Sequence, residues 1–139
     1  MKQENSQQTL IMLKPQVLSR KLVNKFIAAI EESNLNLLHV ESKQLVAEEI
    51  LKFYAHIPNH ILVSEIVPYM ISEKVICIIV EGNNAISKVR TLVGATDPNQ
   101  ALPGTLRMRF AESKKNNLIH SSENENDFKQ EIQILNLKW

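Results

Sequence analysis

The chain has 139 residues, a formal charge of +1 and one cysteine, Cys77. That length makes one domain, residues 1–139, able to bury a core without staples, and a lone cysteine in an apolar run fits a reducing compartment, the cytoplasm. The basic residues are dispersed, the polar start 1–8 has no apolar signal core, and no apolar run is long enough to span a bilayer; nucleic-acid binding, secretion and membrane insertion are therefore not expected.

Thr9-Leu10-Ile11-Met12-Leu13 reads as a buried strand that delivers Lys14 at its end, stopped by Pro15. From Ser19, the residues Leu22, Val23, Phe26, Ile27 and Ile30 recur at helical spacing and predict an amphipathic helix. Alternation from Asn34 to about Leu45 predicts a second strand with one solvated face. Ala47–His56 predicts a helix, broken at Pro58-Asn59; a second short helix carries Ile61, Leu62, Ile66, Val67 and Met70, bent or ended early by Pro68. Val75–Val80 is apolar throughout and predicts a fully buried central strand. Asn83 or Asn84 then caps a helix with the stripe Ile86, Val89, Leu92 and Val93, stopped by Gly94, with Arg90 at the edge of the stripe. A long polar loop, a short strand and a last helix complete the chain, and Trp139 is expected to pack on its own subunit or a neighbour. This order predicts an α+β domain: a βαββαβ sandwich with a four-stranded antiparallel sheet, helices on one face, an inserted helix pair and a long active-site loop.

The loop holds the chemistry. Pro103 to Glu123 is rich in turn formers, yet gathers Arg107, Arg109, Lys114 and Lys115 around one imidazole, His120. Two readings stand: a solvated basic loop with a bystander histidine, or a phosphate site in which Arg107 grips a phosphoryl group bidentately, Asn117 hydrogen-bonds it and His120 attacks it.

Lys14-Pro15, Gly94-Ala95-Thr96-Asp97-Pro98, Pro103-Gly104-Thr105-Leu106-Arg107 and Asn117-Leu118-Ile119-His120 together resemble nucleoside diphosphate kinase, in that family's order and without a gap from about Gln8 to Leu135. The resemblance implies a ferredoxin-like fold and a ping-pong phosphotransferase. A nucleoside triphosphate would phosphorylate His120, and a nucleoside diphosphate would then take the phosphoryl group. It implies that Arg90, Thr96 and Arg107 hold the phosphates and that Lys14 and Asn117 reach the ribose hydroxyl and the transferring group. Tyr54 would orient Lys14 or the histidine, Glu131 would accept the other imidazole N–H, and Ser122 would steady Glu131. Magnesium would be bound through the nucleotide phosphates, with no protein metal ligands. A homo-oligomer, hexamer or tetramer, is implied, as is a strained turn at Leu118 with φ above zero.

Some residues depart from the family pattern. Met108-Arg109-Phe110 follows the arginine where the family has a small and an acidic residue, and Ser121 stands where it has glycine. Leu62 aligns with the aromatic that stacks on the base, and Lys114 with the apolar residue opposite it. A catalytically weakened member serving as a nucleotide-binding or scaffold protein is the alternative these departures favour. An RNA-binding βαββαβ module is disfavoured by aliphatic central strands and near-neutral charge.

Overall fold

The computed structural model describes residues 5–94, 102, 104–110 and 118–139. Four strands, β1 (Ser6–Leu13), β2 (Asn36–Lys43), β3 (Val75–Asn83) and β4 (Ile119–Ser121), form one sheet in the order β2-β3-β1-β4, with every neighbouring pair antiparallel. Between them run α1 (Pro15–Ser19), α2 (Val23–Glu32), α3 (Ala47–Phe53), α4 (Asn59–Ile61), α5 (Val67–Ile71), α6 (Ala85–Val93) and α7 (Leu106–Phe110), and α8 (Glu125–Leu135) follows β4.

Side chains on a strand alternate between faces, so β1 and β3 each feed two cores. Ile11, Leu13, Ile76, Ile78 and Val80 pack with Phe26 and Ile30 of α2 and Val89 and Val93 of α6. Leu10, Met12, Cys77 and Ile79 pack on the other face with Ile50 of α3, Met70 of α5 and Leu135 of α8. Helices thus cover both faces, where one was expected: the inserted helices and the last helix bury the second. This double burial is why β1 and β3 read as unbroken apolar runs. β2 lies at an edge and alternates between half-buried and exposed residues along its whole length.

The helix predicted from Ser19 begins at Val23: Lys21, left-handed at φ 58°, separates it from α1, a short helix over Pro15–Ser19 that the sequence reading did not place. The helix carrying Pro68 does not stop at the proline but runs on to Ile71. Pro68 has no N–H to offer the carbonyl four residues back, and α4 passes through a π-helical turn at Leu62–Ile66 before α5 begins. Asn84 precedes α6 but its side chain caps nothing; the Gln7 carboxamide of β1 instead accepts from Ile86 N at 3.2 Å. Gly94 ends α6 at φ 94°, where a Cβ would stand 2.6 Å from Thr105 Oγ1. Only glycine lets the segment before α7 settle against the end of α6. Trp139 packs on Phe128 of α8, ring centroids 6.0 Å apart, while staying half exposed.

Candidate active site

His120 lies on β4, opposite Met12 in the β1 ladder, and not in the irregular loop expected for it. Alternation turns Ile119 into the first core and leaves His120 on the face shared with α3 and α8. The ladder continues past the strand on both sides, with Lys14 N donating to Leu118 O at 2.8 Å and Ser122 N to Leu10 O at 3.3 Å. Lys14 and His120 are therefore set by the pairing of two adjacent strands. Leu118 has φ 74° and is 1% exposed, as the resemblance implied for the residue before the nucleophile strand. A left-handed leucine is strained by about 1–2 kcal/mol, which its burial and the β1–β4 pairing outweigh.

Two residues of the C-terminal segment fix the imidazole. Glu131 of α8 accepts from His120 Nε2 at 2.7 Å through one carboxylate oxygen and from Ser122 Oγ at 2.6 Å through the other. With the proton on Nε2, Nδ1 carries the free lone pair. The segment folds this way because Asn124 caps α8, its side chain accepting from Asp127 N at 2.8 Å, and places Glu131 back over β4.

Cations converge on the same cavity, about 760 Å³, whose wall includes Lys14, Tyr54, Arg90, Arg107, His120 and Glu131. Arg107 of α7 donates through Nη1 to Gly94 O at 2.8 Å and through Nη2 to Ile119 O at 2.7 Å. Part of its fork is thus spent on holding two chain segments together, a role the sequence did not suggest. Burial, and then the charge of Arg90, hold the Arg107 guanidinium down at about 10. Burial, and then Arg107, push the Lys14 ammonium down to about 8. The cations repel one another across the cavity, and an anion between them relieves that repulsion.

The remaining expected residues fall in different places. The Lys14 ammonium stands 6.0 Å from the centroid of the Tyr54 ring; the Tyr54 hydroxyl is buried without a hydrogen-bond partner, and its pKa is raised by burial and by Glu131. The ring against the imidazole is that of Phe53, with centroids 4.7 Å apart at 72°. Sequence reasoning passed over Phe53, whose only signal was its place beside Tyr54 at the end of a helix. Leu62 does not line the cavity: it begins the π-helical turn and is 4% exposed within the second core, while Ile57 and Ile66 form apolar wall. Thr96, Lys114 and Asn117 lie outside the described residues.

A sequence profile described as nucleoside diphosphate kinase matches residues 7–137. A nucleoside diphosphate kinase of Sulfolobus acidocaldarius is 37% identical over 92% of this chain and 88% of its own length, and one of Actinobacillus pleuropneumoniae is 37% identical over 91% of each. Among solved structures, the apo nucleoside diphosphate kinase of Encephalitozoon cuniculi superposes with a TM-score of 0.86 at 31% identity, over 91% of this chain and 86% of that one. A histidine tied to a carboxylate and faced by mutually repelling cations, on a fold matched along nearly its whole length, leads to one assignment: the chain belongs to the nucleoside diphosphate kinase family.

Proposed function

We propose that the protein moves the terminal phosphoryl group of a nucleoside triphosphate to a nucleoside diphosphate through phospho-His120. The lone pair on His120 Nδ1 attacks the γ-phosphorus, an N–P bond forms, the bond to the β-phosphate oxygen breaks, and the diphosphate leaves. A second nucleoside diphosphate reverses the step, its β-phosphate oxygen attacking phosphorus as the N–P bond breaks. Attack places positive charge on the ring, which the Glu131 carboxylate 2.7 Å from Nε2 stabilises. Lys14, Arg90 and Arg107 neutralise the phosphate oxygens, and Thr96 and Asn117 add hydrogen bonds by family resemblance. The observation that carries this reading is the Ser122–Glu131–His120 chain facing those cations across one cavity.

Magnesium fits this site as a companion of the nucleotide. Glu123 and Asp127 on the cavity wall are hard oxygen donors suited to its water shell. When bound through the phosphates it supplies charge neutralisation. Family membership further supports a homo-oligomer, a hexamer or a tetramer, which light scattering tests. Cytoplasmic residence is supported by one cysteine, Cys77, whose buried thiol is pushed up to about 12 and so kept unreactive.

Incubation with radiolabelled ATP tests the reaction. Label that is base-stable, acid-labile, lost in His120→Ala and discharged by nucleoside diphosphates is expected. Acid-stable label, or label retained in His120→Ala, would overturn it.

A further inference from the structure

The hydrogen bond from Nε2 to Glu131 fixes one point of the imidazole and leaves the ring free to swing about that contact. A second restraint is needed to aim Nδ1. Phe53 supplies a candidate: its ring lies 4.7 Å from the imidazole at 72°, within the range of edge-to-face aromatic pairs. Phe53 is itself held, with the Tyr54 ring 5.0 Å away at 60°. It ends α3, and α3 packs directly on α8, the helix that carries Glu131. The histidine is therefore gripped from two helices that contact each other, by a hydrogen bond from one and a ring from the other.

Resting on the phosphohistidine reading above, we propose that Phe53 is a positioning residue, whose ring fixes the rotation of the His120 imidazole about its bond to Glu131. Its chemistry suits the task. A benzene ring has no lone pair, and its face is a far weaker acceptor than the Glu131 carboxylate 2.7 Å from Nε2, so it restrains the imidazole without drawing the proton to Nδ1. Misaligned nucleophiles lose rate steeply, whereas phosphate contacts made by Lys14, Arg90 and Arg107 are unaffected.

The test is Phe53→Leu, which keeps apolar bulk and removes the ring, beside Phe53→Tyr, which restores a ring. We expect Phe53→Leu to lower kcat about tenfold with KM changed less than about twofold, and Phe53→Tyr to return kcat to within about threefold of wild type. Nitrogen NMR of His120 in the Leu variant should show ring signals broadened by motion, with the Nε2–H tautomer kept. An unchanged kcat in Phe53→Leu, a parallel change in kcat and KM, or Tyr no better than Leu would overturn the proposal. Phe53→Met replaces Leu if the latter does not fold. Wild-type protein that never forms phosphohistidine would sink the phosphotransfer reading alone; the NMR comparison still decides whether Phe53 restrains the ring, and sharp, unaltered signals in the variant would refute it.

Discussion

Glu131→Gln tests the imidazole support at atomic level, because both carboxylate oxygens have donors facing them. His120 Nε2 lies 2.7 Å from one and Ser122 Oγ 2.6 Å from the other. An amide has a single oxygen, so two arrangements compete. With the oxygen toward His120, the reactive tautomer survives but the bond loses its charge assistance, a loss of about 1–1.5 kcal/mol. The amide nitrogen then faces Ser122, whose hydroxyl must turn to accept; its own proton loses a partner at a site 1% exposed, for about another 1 kcal/mol. With the amide reversed, Ser122 is satisfied, but Nε2 must accept, and the proton moves to Nδ1 and blocks attack. The reversed amide is therefore the resting arrangement, and reaching the productive one and reacting without charge assistance raises the barrier by about 2–2.5 kcal/mol, roughly 30- to 70-fold in rate. Because Ser122 favours the unproductive arrangement, Ser122→Ala should partly rescue Glu131→Gln, although alone in the wild-type background it slows the reaction a few-fold. Rapid-quench measurement of phosphohistidine formation with radiolabelled ATP gives all four rates of this cycle. A Glu131→Gln rate within about threefold of wild type, or a double variant slower than the single one, would refute the reasoning.

Burial and then Arg107 hold the Lys14 ammonium down at about 8; in the proposed reaction it meets phosphate as the ammonium, so KM for the triphosphate should be flat below pH 8 and rise about tenfold per unit above it; Lys14→Met should show a raised KM without the inflection, and a wild-type KM unchanged to pH 9.5 would count against it. The same depression means that the unfolded chain binds more protons between about pH 8 and its ordinary value near 10.4, so Lys14 adds to ligand-free stability as pH rises through that window, and denaturant titrations of wild type and Lys14→Met should diverge there. Gly94→Ala adds a Cβ 2.6 Å from Thr105 Oγ1 at φ 94°, and is expected to lower stability by about 1–3 kcal/mol and raise KM by displacing the carbonyl that anchors Arg107; a thermal midpoint equal to wild type would rule this out. Leu118→Ala keeps the left-handed strain and loses buried bulk, whereas Leu118→Gly loses bulk and relaxes the strain, so glycine should be the more stable by up to about 1 kcal/mol, and the reverse order would contradict a strained Leu118.

The elements that announced themselves were those whose neighbours lie along the chain. The runs of β1 and β3, the alternation of β2, the stripes of α2 and α6 and the stop at Gly94 are local patterns, and local patterns reach the eye through periodicity. β4 is three residues long, too short for any period to register, so His120 read as a loop residue. The contact of Phe53 with His120 and the anchoring of Arg107 on Gly94 and Ile119 join distant segments, and one chain carries no signal of such packing. Leu62 shows the converse limit. The resemblance aligns it with the base-stacking position, whereas in the structure it opens a π-helical turn and is buried in the second core, a local backbone feature that alignment does not carry.

The brevity of β4 also bears on how the protein comes apart. Among the described residues it sits at the sheet's edge and pairs through three residues with β1, while β1 and β3 are zipped over eight. Amides of Ile119–Ser121 should exchange with solvent through a partial opening well below the free energy of global unfolding, and those of β3 only through the global event. On heating, or in dilute denaturant, phosphoryl transfer should therefore vanish while far-ultraviolet circular dichroism still reports an intact sheet. Nucleotide that engages Lys14 and Arg107 together clasps β1 to the segment leading into β4, and should move the loss of activity toward the melting of the whole domain.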